Sequence, residues 1–331
     1  MNSKKYTKYV IIIFAVIFLI SAALLMLELW EKHRSDFPEL SEKSDVIEYN
    51  GQKYSPKKDV ETFLVMGLDK FQGSSMADSH ESGIQADFLM LFVIDNEAKK
   101  CTALHINRDT MVNINKVAIG GVKVDSFTKQ IALAYNYVAD DNEKVKCRNV
   151  KDSVESLLNG VKIDHYLSLT MDSVAILNDL VGGVEVTVLD DFTGIDDFLV
   201  KDKKVTLMGE HALCYIRTRY GLEDSTNSTR MARQQQYINA LYSKVNTLSE
   251  ADDEFFMNLI EKIDEYIVYD SSDQKMVKLA EKFSDYEFLG VRELDGETIK
   301  GDEFLEFYPK EDSILDFVID SFYVSEKNDN G

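Results

Sequence analysis

Asp87 stands directly before an apolar run, residues 88–94 (FLMLFVI), and Arg108 and Asp109 follow another, residues 101–106 (CTALHI). The polar stretch between the runs, DNEAKK, reads as a short reversal, so the runs are expected to form two adjacent strands. If they pair antiparallel, the start of the first and the end of the second share one sheet edge. A carboxylate and a guanidinium far apart in the chain then become neighbours. Such a pair serves either as a structural cap on a hairpin or as part of a reactive site, and this stretch alone leaves both open.

Only eight of the 37 basic residues are arginines, and five of those are Arg108, Arg217, Arg219, Arg230 and Arg233. Arginine offers a planar, permanently charged fork that grips phosphate oxygens two at a time, where lysine is a point charge. The whole chain carries a formal charge of −21, which repels a free anion at long range and argues against nucleic acid as a partner. An anion carried on a lipid, already confined to a membrane face, needs no steering and is held by short contacts. From Arg230 a helix is expected, with Arg230, Arg233, Gln234, Tyr237 and Leu241 on one stripe, basic at its start and apolar beyond. Arg217-Thr218-Arg219 is expected to be extended, with both arginines on one side.

The elements that must position these residues alternate between strand and helix. Residues 62–68 (TFLVMGL) read as a buried strand ending in Asp69, followed by a Gly/Ser-containing loop over 71–84. After Asp109 the pattern turns helical at 131–138 and 149–158, with a charged loop at 140–146. A strand at 165–169, a helix at 171–180 stopped by Gly182-Gly183, a strand at 184–188 and a short helix at 209–215 complete the pattern. This predicts an α/β fold, a central mixed β-sheet with helices on both faces. The C-terminal part carries helical patterns at 255–266, 276–283 and 313–322 and a turn at Tyr308-Pro309. Neither GxGxxG nor GxxxxGK[ST] occurs. Cys101, Cys147 and Cys214 show no metal-ligand spacing and read as buried or free thiols, with nothing to support a Cys101–Cys147 disulfide.

Residues 10–27 (VIIIFAVIFLISAALLML) form an apolar run of about 27 Å as a helix, enough to cross a hydrocarbon core. Lys4, Lys5 and Lys8 precede it and Glu28 and Glu31 follow. The positive-inside rule puts the N-terminus in the cytoplasm and the rest outside. The one small-residue cluster, Ser21-Ala22-Ala23, lies within the run, which favours an uncleaved anchor over a signal peptide. The expected organisation is a cytoplasmic N-terminus at 1–9, a transmembrane anchor at 10–30 and a membrane-proximal linker at 31–58. A catalytic domain follows at 59–248, with a C-terminal extension packed on it at 249–331.

Six motifs in order resemble the LytR–CpsA–Psr family of membrane-anchored cell-wall glycopolymer transferases: GLD at 67–69, ADFLML at 86–91, INRDT at 106–110, NDLVGGVEV at 178–186, YIRTR at 215–219 and RMARQQQ at 230–236. The resemblance runs from about residue 62 to 245. It implies a phosphotransferase outside the cell that joins a polyprenyl-pyrophosphate-linked polysaccharide, such as teichoic acid or capsule, to peptidoglycan by a phosphodiester. A pyrophosphatase side activity goes with that chemistry. The resemblance also implies Mg2+, or Mn2+, near Asp69 and Asp87, and a pyrophosphate held by Arg108, Arg217, Arg219, Arg230, Arg233 and Gln234, with an apolar tunnel for the prenyl chain. A divalent cation with oxygen ligands relieves the repulsion of two close carboxylates while bridging to phosphate. Asp109 fits either a base or a carboxylate that orients Arg108.

The chain departs from the family pattern in three places. Many members read Arg-Ser-Asp where this chain has Gln85-Ala86-Asp87, many carry Asp where it has Asn227, and the 71–84 loop stretches the spacing from Asp69 to Asp87. Asp224 is the nearest acid to Asn227. A non-catalytic, membrane-tethered binder of lipid-linked precursors is the competing reading; it needs the arginines and the tunnel but no paired aspartates.

Overall fold

A computed structural model describes residues 46–70, 83–219, 221–223, 227–252, 254–302 and 304–326 of the protein. The expected anchor at 10–30, most of the linker, the loop over 71–82 and Asp224 lie outside the described residues. Among the described residues, no helix is long and apolar enough to cross a membrane.

The strands expected on either side of the polar reversal pair as anticipated. β4 (Ala86–Asp95) runs antiparallel to β5 (Lys100–His105), with Met90 opposite His105 and Asp95 opposite Lys100. β3 (Val60–Leu68) lies on the other side of β4, also antiparallel, and β8 (His165–Leu169) runs parallel to β3. Two strands from the C-terminal part, β11 (Ile267–Tyr269) and β12 (Glu287–Glu293), complete a six-stranded mixed sheet in the order β11-β8-β3-β4-β5-β12. The extension at 249–331 is therefore woven into the sheet at both edges, not merely packed on it.

Alternation along the strands sorts the core into two layers. Leu64, Met66, Leu89, Leu91 and Leu104 face one side, where Cys147, Val150 and Val154 of α1 (Glu143–Leu157) and Phe317 of α7 (Glu311–Phe322) cover them. Each such leucine, fully buried, stabilises the fold by about 1.5–3 kcal/mol. Phe63, Phe92 and Leu167 face the other side, against Ile260 of α5 (Phe255–Ile263) and Met276 and Leu279 of α6 (Asp273–Asp285). Helices thus flank both faces, as expected. Cys147 belongs to the first layer and Cys101 to the second, so the two thiols are on opposite sides of the sheet. All three cysteines are free; burial pushes the Cys101 thiol up to about 12 and Cys147 to about 11.

Several elements differ from the sequence reading. The end of the linker is ordered: β1 (Ile47–Tyr49) and β2 (Gln52–Pro56) form a hairpin joined by β15 (Tyr323–Ser325) from the far end of the chain. Between Asp109 and the first helix the chain makes a second hairpin, β6 (Met111–Ala118) and β7 (Val122–Gln130), turned by Gly120 and Gly121 at positive φ. The helix expected at 131–138 is a short 3-10 segment, Ile131–Tyr135. The charged loop at 140–146 already contains the start of α1, because the Asn142 side chain accepts from the Lys144 N–H and caps it. Tyr308-Pro309 ends a strand, β14 (Leu305–Pro309), paired with β13 (Gly296–Lys300). α2 (Met171–Leu180), β9 (Val184–Thr187), β10 (Lys204–Leu207), α3 (Gly209–Arg217) and α4 (Asn227–Ser249) form the remaining lobe.

At the far end of β3 from Leu68, Glu61 receives bonds from Lys275 and, at 2.8 Å, Lys282, both on α6. Burial pushes Glu61 up, but the lysine bonds outweigh it and hold the carboxyl below its ordinary value. A depressed carboxyl contributes stability that is present above its unfolded-state pKa of ~4.3 and is lost as pH falls through the folded value. Glu61→Gln is expected to cost about 1 kcal/mol at pH 7, because both lysines are a third exposed. The cost should shrink below about pH 4. Urea melts at pH 7 and pH 3.5 check this, and an equal cost at both would show that packing, not charge, holds α6 there.

Candidate active site

The site begins with a flaw in the β3–β4 pairing. Gly67 opposes Phe88 and Leu68 opposes Ala86, which leaves Asp87 as the extra residue of a bulge. A bulge re-aims a side chain where a regular strand would bury or expose it. Gly67 is required there, because a Cβ on it would lie 2.9 Å from Cβ of Phe88. Asp69 follows directly, its N–H donating to the Gln85 carbonyl at 3.0 Å, so both predicted carboxylates emerge at the same sheet end.

Arginines surround them. Arg108, just past β5, donates one terminal nitrogen to Asp87 and the other to the Gln85 side chain. Its Nε lies 3.5 Å from Asp109. Arg217, the last residue of α3, pairs with Asp69 at 3.0 Å. Arg230, in the first turn of α4, reaches Asp87 at 3.4 Å and is fixed by the Asn227 side-chain oxygen at 2.6 Å. Arg219 is half-buried and near enough for its charge to act on both Asp109 and Arg230. The expected Asp–Arg neighbourhood is therefore present, with three aspartates facing four arginines. Arg217 differs from expectation in one respect: it closes a helix, and the chain leaves that helix at Thr218.

Arg233 does not join the group. It is fully buried, and its guanidinium donates to the Tyr215 carbonyl at 2.7 Å, to the Thr218 carbonyl and to Asp190. At about 100° per residue, Arg230, Gln234, Tyr237 and Leu241 stay within one stripe, whereas Arg233 is rotated about 60° away, toward α3. Each of its three nitrogens has a partner. It is a structural clamp.

Asp109 is 4 % exposed. Gln130 donates to its carboxylate at 3.0 Å, and its own carbonyl accepts from Phe307 on β14, so the C-terminal hairpin backs it. Burial pushes its carboxyl up, the Arg108, Arg219 and Arg230 charges pull it down, and burial prevails. Burial likewise pulls Arg230 below its ordinary value; Asp87 restores part of this, and Arg108 and Arg219 oppose it. Nε atoms of Arg108 and Arg230 are both buried without a hydrogen-bond acceptor. Such a cluster is under-neutralised, and an anion with several oxygens would supply the missing acceptors.

Behind the arginines the protein is hollow. A cavity of about 130 Å3 is lined by Val65, Gly67 and Phe88 of the sheet, by Val174 and Leu177 of α2, and by Tyr237, Ile238 and Leu241 of α4. Asp87, Arg217, Arg230 and Gln234 stand at its polar end. Apolar space beside the arginines is what the family resemblance implies, and Phe88 and Tyr237 are among its lining. Its size matches cavities that take one benzene-sized group, ~150 Å3, and falls short of a long prenyl chain. Within α2 only Ser173 and Asn178 are buried, so this wall is the lightly held one.

Sequence reasoning missed Asn107, whose side-chain oxygen accepts from the Asp109 N–H and from Asn227, tying the end of β5 to the start of α4. It also missed Gln130 and His105. Asn107 sits inside the INRDT motif and was within reach of a closer reading; Gln130 acts through a hairpin the sequence reading did not contain.

Comparison with known proteins follows the same lines. Biofilm regulatory protein A of Streptococcus mutans is 29% identical over 194 residues, 56% of this chain and 44% of that protein. The polyisoprenyl-teichoic acid–peptidoglycan teichoic acid transferase TagU of Enterococcus faecalis is 28% identical over 243 residues, 73% of this chain and 69% of that one. The chain thus spans less than half of the first relative and about two thirds of the second. In fold it is similar to protein gbs0355 of Streptococcus agalactiae, with a TM-score of 0.60 at 22% identity over 78% of this chain and 85% of that one. It is also similar to TagT bound to LI-WTA, with a TM-score of 0.59 at 19% identity over 84% and 94%. The LytR_cpsA_psr family model matches residues 29–314, nearly the whole described structure, and the chain belongs to that family.

Proposed function

We propose that this protein transfers a cell-wall glycopolymer from a polyprenyl-pyrophosphate carrier to peptidoglycan. One observation carries the reading: an arginine cluster with unfilled donors stands at the mouth of an apolar cavity, which suits an amphiphile with an anionic head. In the reaction an acceptor hydroxyl oxygen attacks the phosphorus that bears the glycopolymer. The bond from that phosphorus to the bridging oxygen breaks, polyprenyl phosphate leaves with the hydroxyl proton, and a phosphodiester remains. Phosphoryl transfer of this kind asks mainly for alignment and charge neutralisation. Arg108, Arg217, Arg219 and Arg230 supply both, and Asp109, buried beside Arg108, orients it. The α2 wall must move outward to admit more than the first isoprene unit.

Asp69 and Asp87 suit Mg2+ or Mn2+. Among the described residues no cluster of three or more His, Cys, Asp and Glu side chains could hold a metal, so the cation would rest on these two carboxylates and on ligand oxygens. That is the usual arrangement for Mg2+ at phosphates. Asp87 and Asp69, now paired with Arg108 and Arg217, would hold the cation, which would supply positive charge to the phosphates. The N-terminal run at 10–30 would anchor the chain in the cell membrane, with the main domain outside, where lipid carrier and peptidoglycan meet.

The test is a transfer assay with the full chain in detergent, a short lipid-pyrophosphate oligosaccharide, a peptidoglycan fragment and Mg2+. Labelled sugar should move to the fragment, and EDTA should stop it. Tight binding of the lipid with neither transfer nor hydrolysis would replace the enzyme by a precursor binder.

A further inference from the structure

Thr170 joins the end of β8 to the start of α2, and its hydroxyl is buried with no hydrogen-bond partner. The residue is 8 % exposed and forms part of the cavity wall. Its level in the sheet follows from the strand register. β8 runs parallel to β3 with Leu169 opposite Gly67, so Thr170 and Leu68 leave the sheet side by side, one step before Asp69. The Met171 N–H donates to the Lys70 carbonyl at 2.9 Å and holds that alignment. Thr170 therefore stands where the apolar wall gives way to Asp69 and its partner Arg217.

A threonine just before a helix ordinarily turns its hydroxyl back to accept from an N–H of the first turn. Thr170 has the extended backbone of such a cap, φ −84° and ψ 167°, yet its side chain takes no bond from α2. The turn is fastened in another way. The Thr170 N–H donates to the Tyr266 carbonyl at 3.0 Å, and its carbonyl accepts from the Ser173 N–H at 3.2 Å and the Ser173 hydroxyl at 2.7 Å. With both backbone groups engaged, the side chain is what the residue presents to the cavity. A buried hydroxyl left unpaired is costly, and an oxygen-rich ligand at this junction would complete it. The positive end of α2 adds little, because Asp172 in its first turn offsets it. The hydroxyl is the contribution.

We propose that Thr170 is a further substrate-binding residue, whose hydroxyl donates to the phosphate that carries the prenyl chain. With the chain in the cavity and the head among the arginines, that phosphate is the one at the junction, and the glycopolymer phosphate lies farther out. In the transfer written above it is the phosphate that leaves, and it takes up negative charge as the bridging P–O bond breaks. A hydroxyl supplies a donor there without adding another charge to four crowded arginines. It offers nothing to a carbon chain, so it also sets how deep the head group sinks. This inference rests on the pyrophosphate reading above.

The experiment titrates the full chain in detergent with geranyl phosphate and, separately, with geranyl pyrophosphate, both with Mg2+, by calorimetry. Thermal melts without ligand run beside it. Wild-type protein should bind both. Thr170→Val keeps the branched shape and removes only the hydroxyl; it should weaken both ligands about tenfold, the scale of a lost hydrogen bond to a charged group. Its melting temperature without ligand should hold or rise, since an unpaired buried hydroxyl is gone. Thr170→Ser keeps the hydroxyl and should stay within about threefold of wild type for both ligands. A valine variant that melts several degrees lower would show a hydroxyl already serving the fold and overturn the proposal. Unchanged affinity in that variant overturns it too, as for a hydroxyl satisfied by water. A loss confined to geranyl pyrophosphate would put the hydroxyl at the other phosphate, and a serine variant as weak as valine would credit the methyl group; either result overturns the assignment. Failure of wild type to bind either ligand overturns the pyrophosphate reading itself, and this inference with it.

Discussion

Arg108→Lys is expected to slow glycopolymer transfer by about 10²–10³-fold while binding of the lipid carrier falls far less. Arg108 holds Asp87 and Gln85 with two nitrogens of one rigid fork, and its Nε, 3.5 Å from Asp109, is left without a bond. Lysine keeps the charge but offers one ammonium, which cannot span Asp87 and Gln85 and still address a phosphate. As the bridging P–O bond breaks, negative charge gathers on the phosphate oxygens. A donor set fixed in advance for that charge acts on the transition state more than on the bound substrate. The measurement is kcat in the transfer assay beside the Kd for geranyl pyrophosphate. A kcat within threefold of wild type would remove Arg108 from the reacting phosphates and return it to a hairpin cap.

The second large effect is on stability. Arg233→Met should lose about 3 kcal/mol, the low end of the cost of breaking a buried ion pair, because the Asp190 side chain left behind is 23% exposed. Asp190 would lose its cation, and the Tyr215 and Thr218 carbonyls would lose their donor, while the guanidinium would also leave the Phe192 ring 5.4 Å away. For a domain of this size the melting temperature should fall by about 10 °C. The segment from Tyr215 to Thr218 carries Arg217, so transfer should fall with it even well below the melting point. A fall of less than 2 °C would mean that the clamp is not needed and that Arg233 is available to a ligand after all.

Comparing expectation with structure shows where sequence patterns carry and where they stop. β3, β4, β5, β8 and α2 were legible because each is an apolar run bounded by polar or turn residues, and a run of that kind has few places to go. The meeting of Asp87 with Arg108 followed from that pairing. The β6–β7 hairpin escaped notice although Gly120-Gly121 lies between alternating runs, a known hairpin signal. β11 and β12 escaped for a different reason: short, half-exposed edge strands have weak patterns, and only the sheet they join defines them. Arg233 was assigned to the wrong face because a three-residue step and a four-residue step both count as one helical face, yet they diverge by about 100°. Asn227 and Gln85, which looked like losses against the family pattern, prove to be acceptors that hold Arg230 and Arg108.

The place of β11 and β12 also sets a timetable. A chain made from its N-terminus offers β3, β4, β5 and β8 long before residue 267, and during that interval β8 and β5 each present a bare row of amides and carbonyls. Contacts that must wait for distant sequence slow folding and lengthen exposure to other unfinished chains. Truncation near residue 248 would make that interval permanent. The shortened protein would keep every arginine and aspartate of the candidate site yet still aggregate, through two open edges that none of those residues protects.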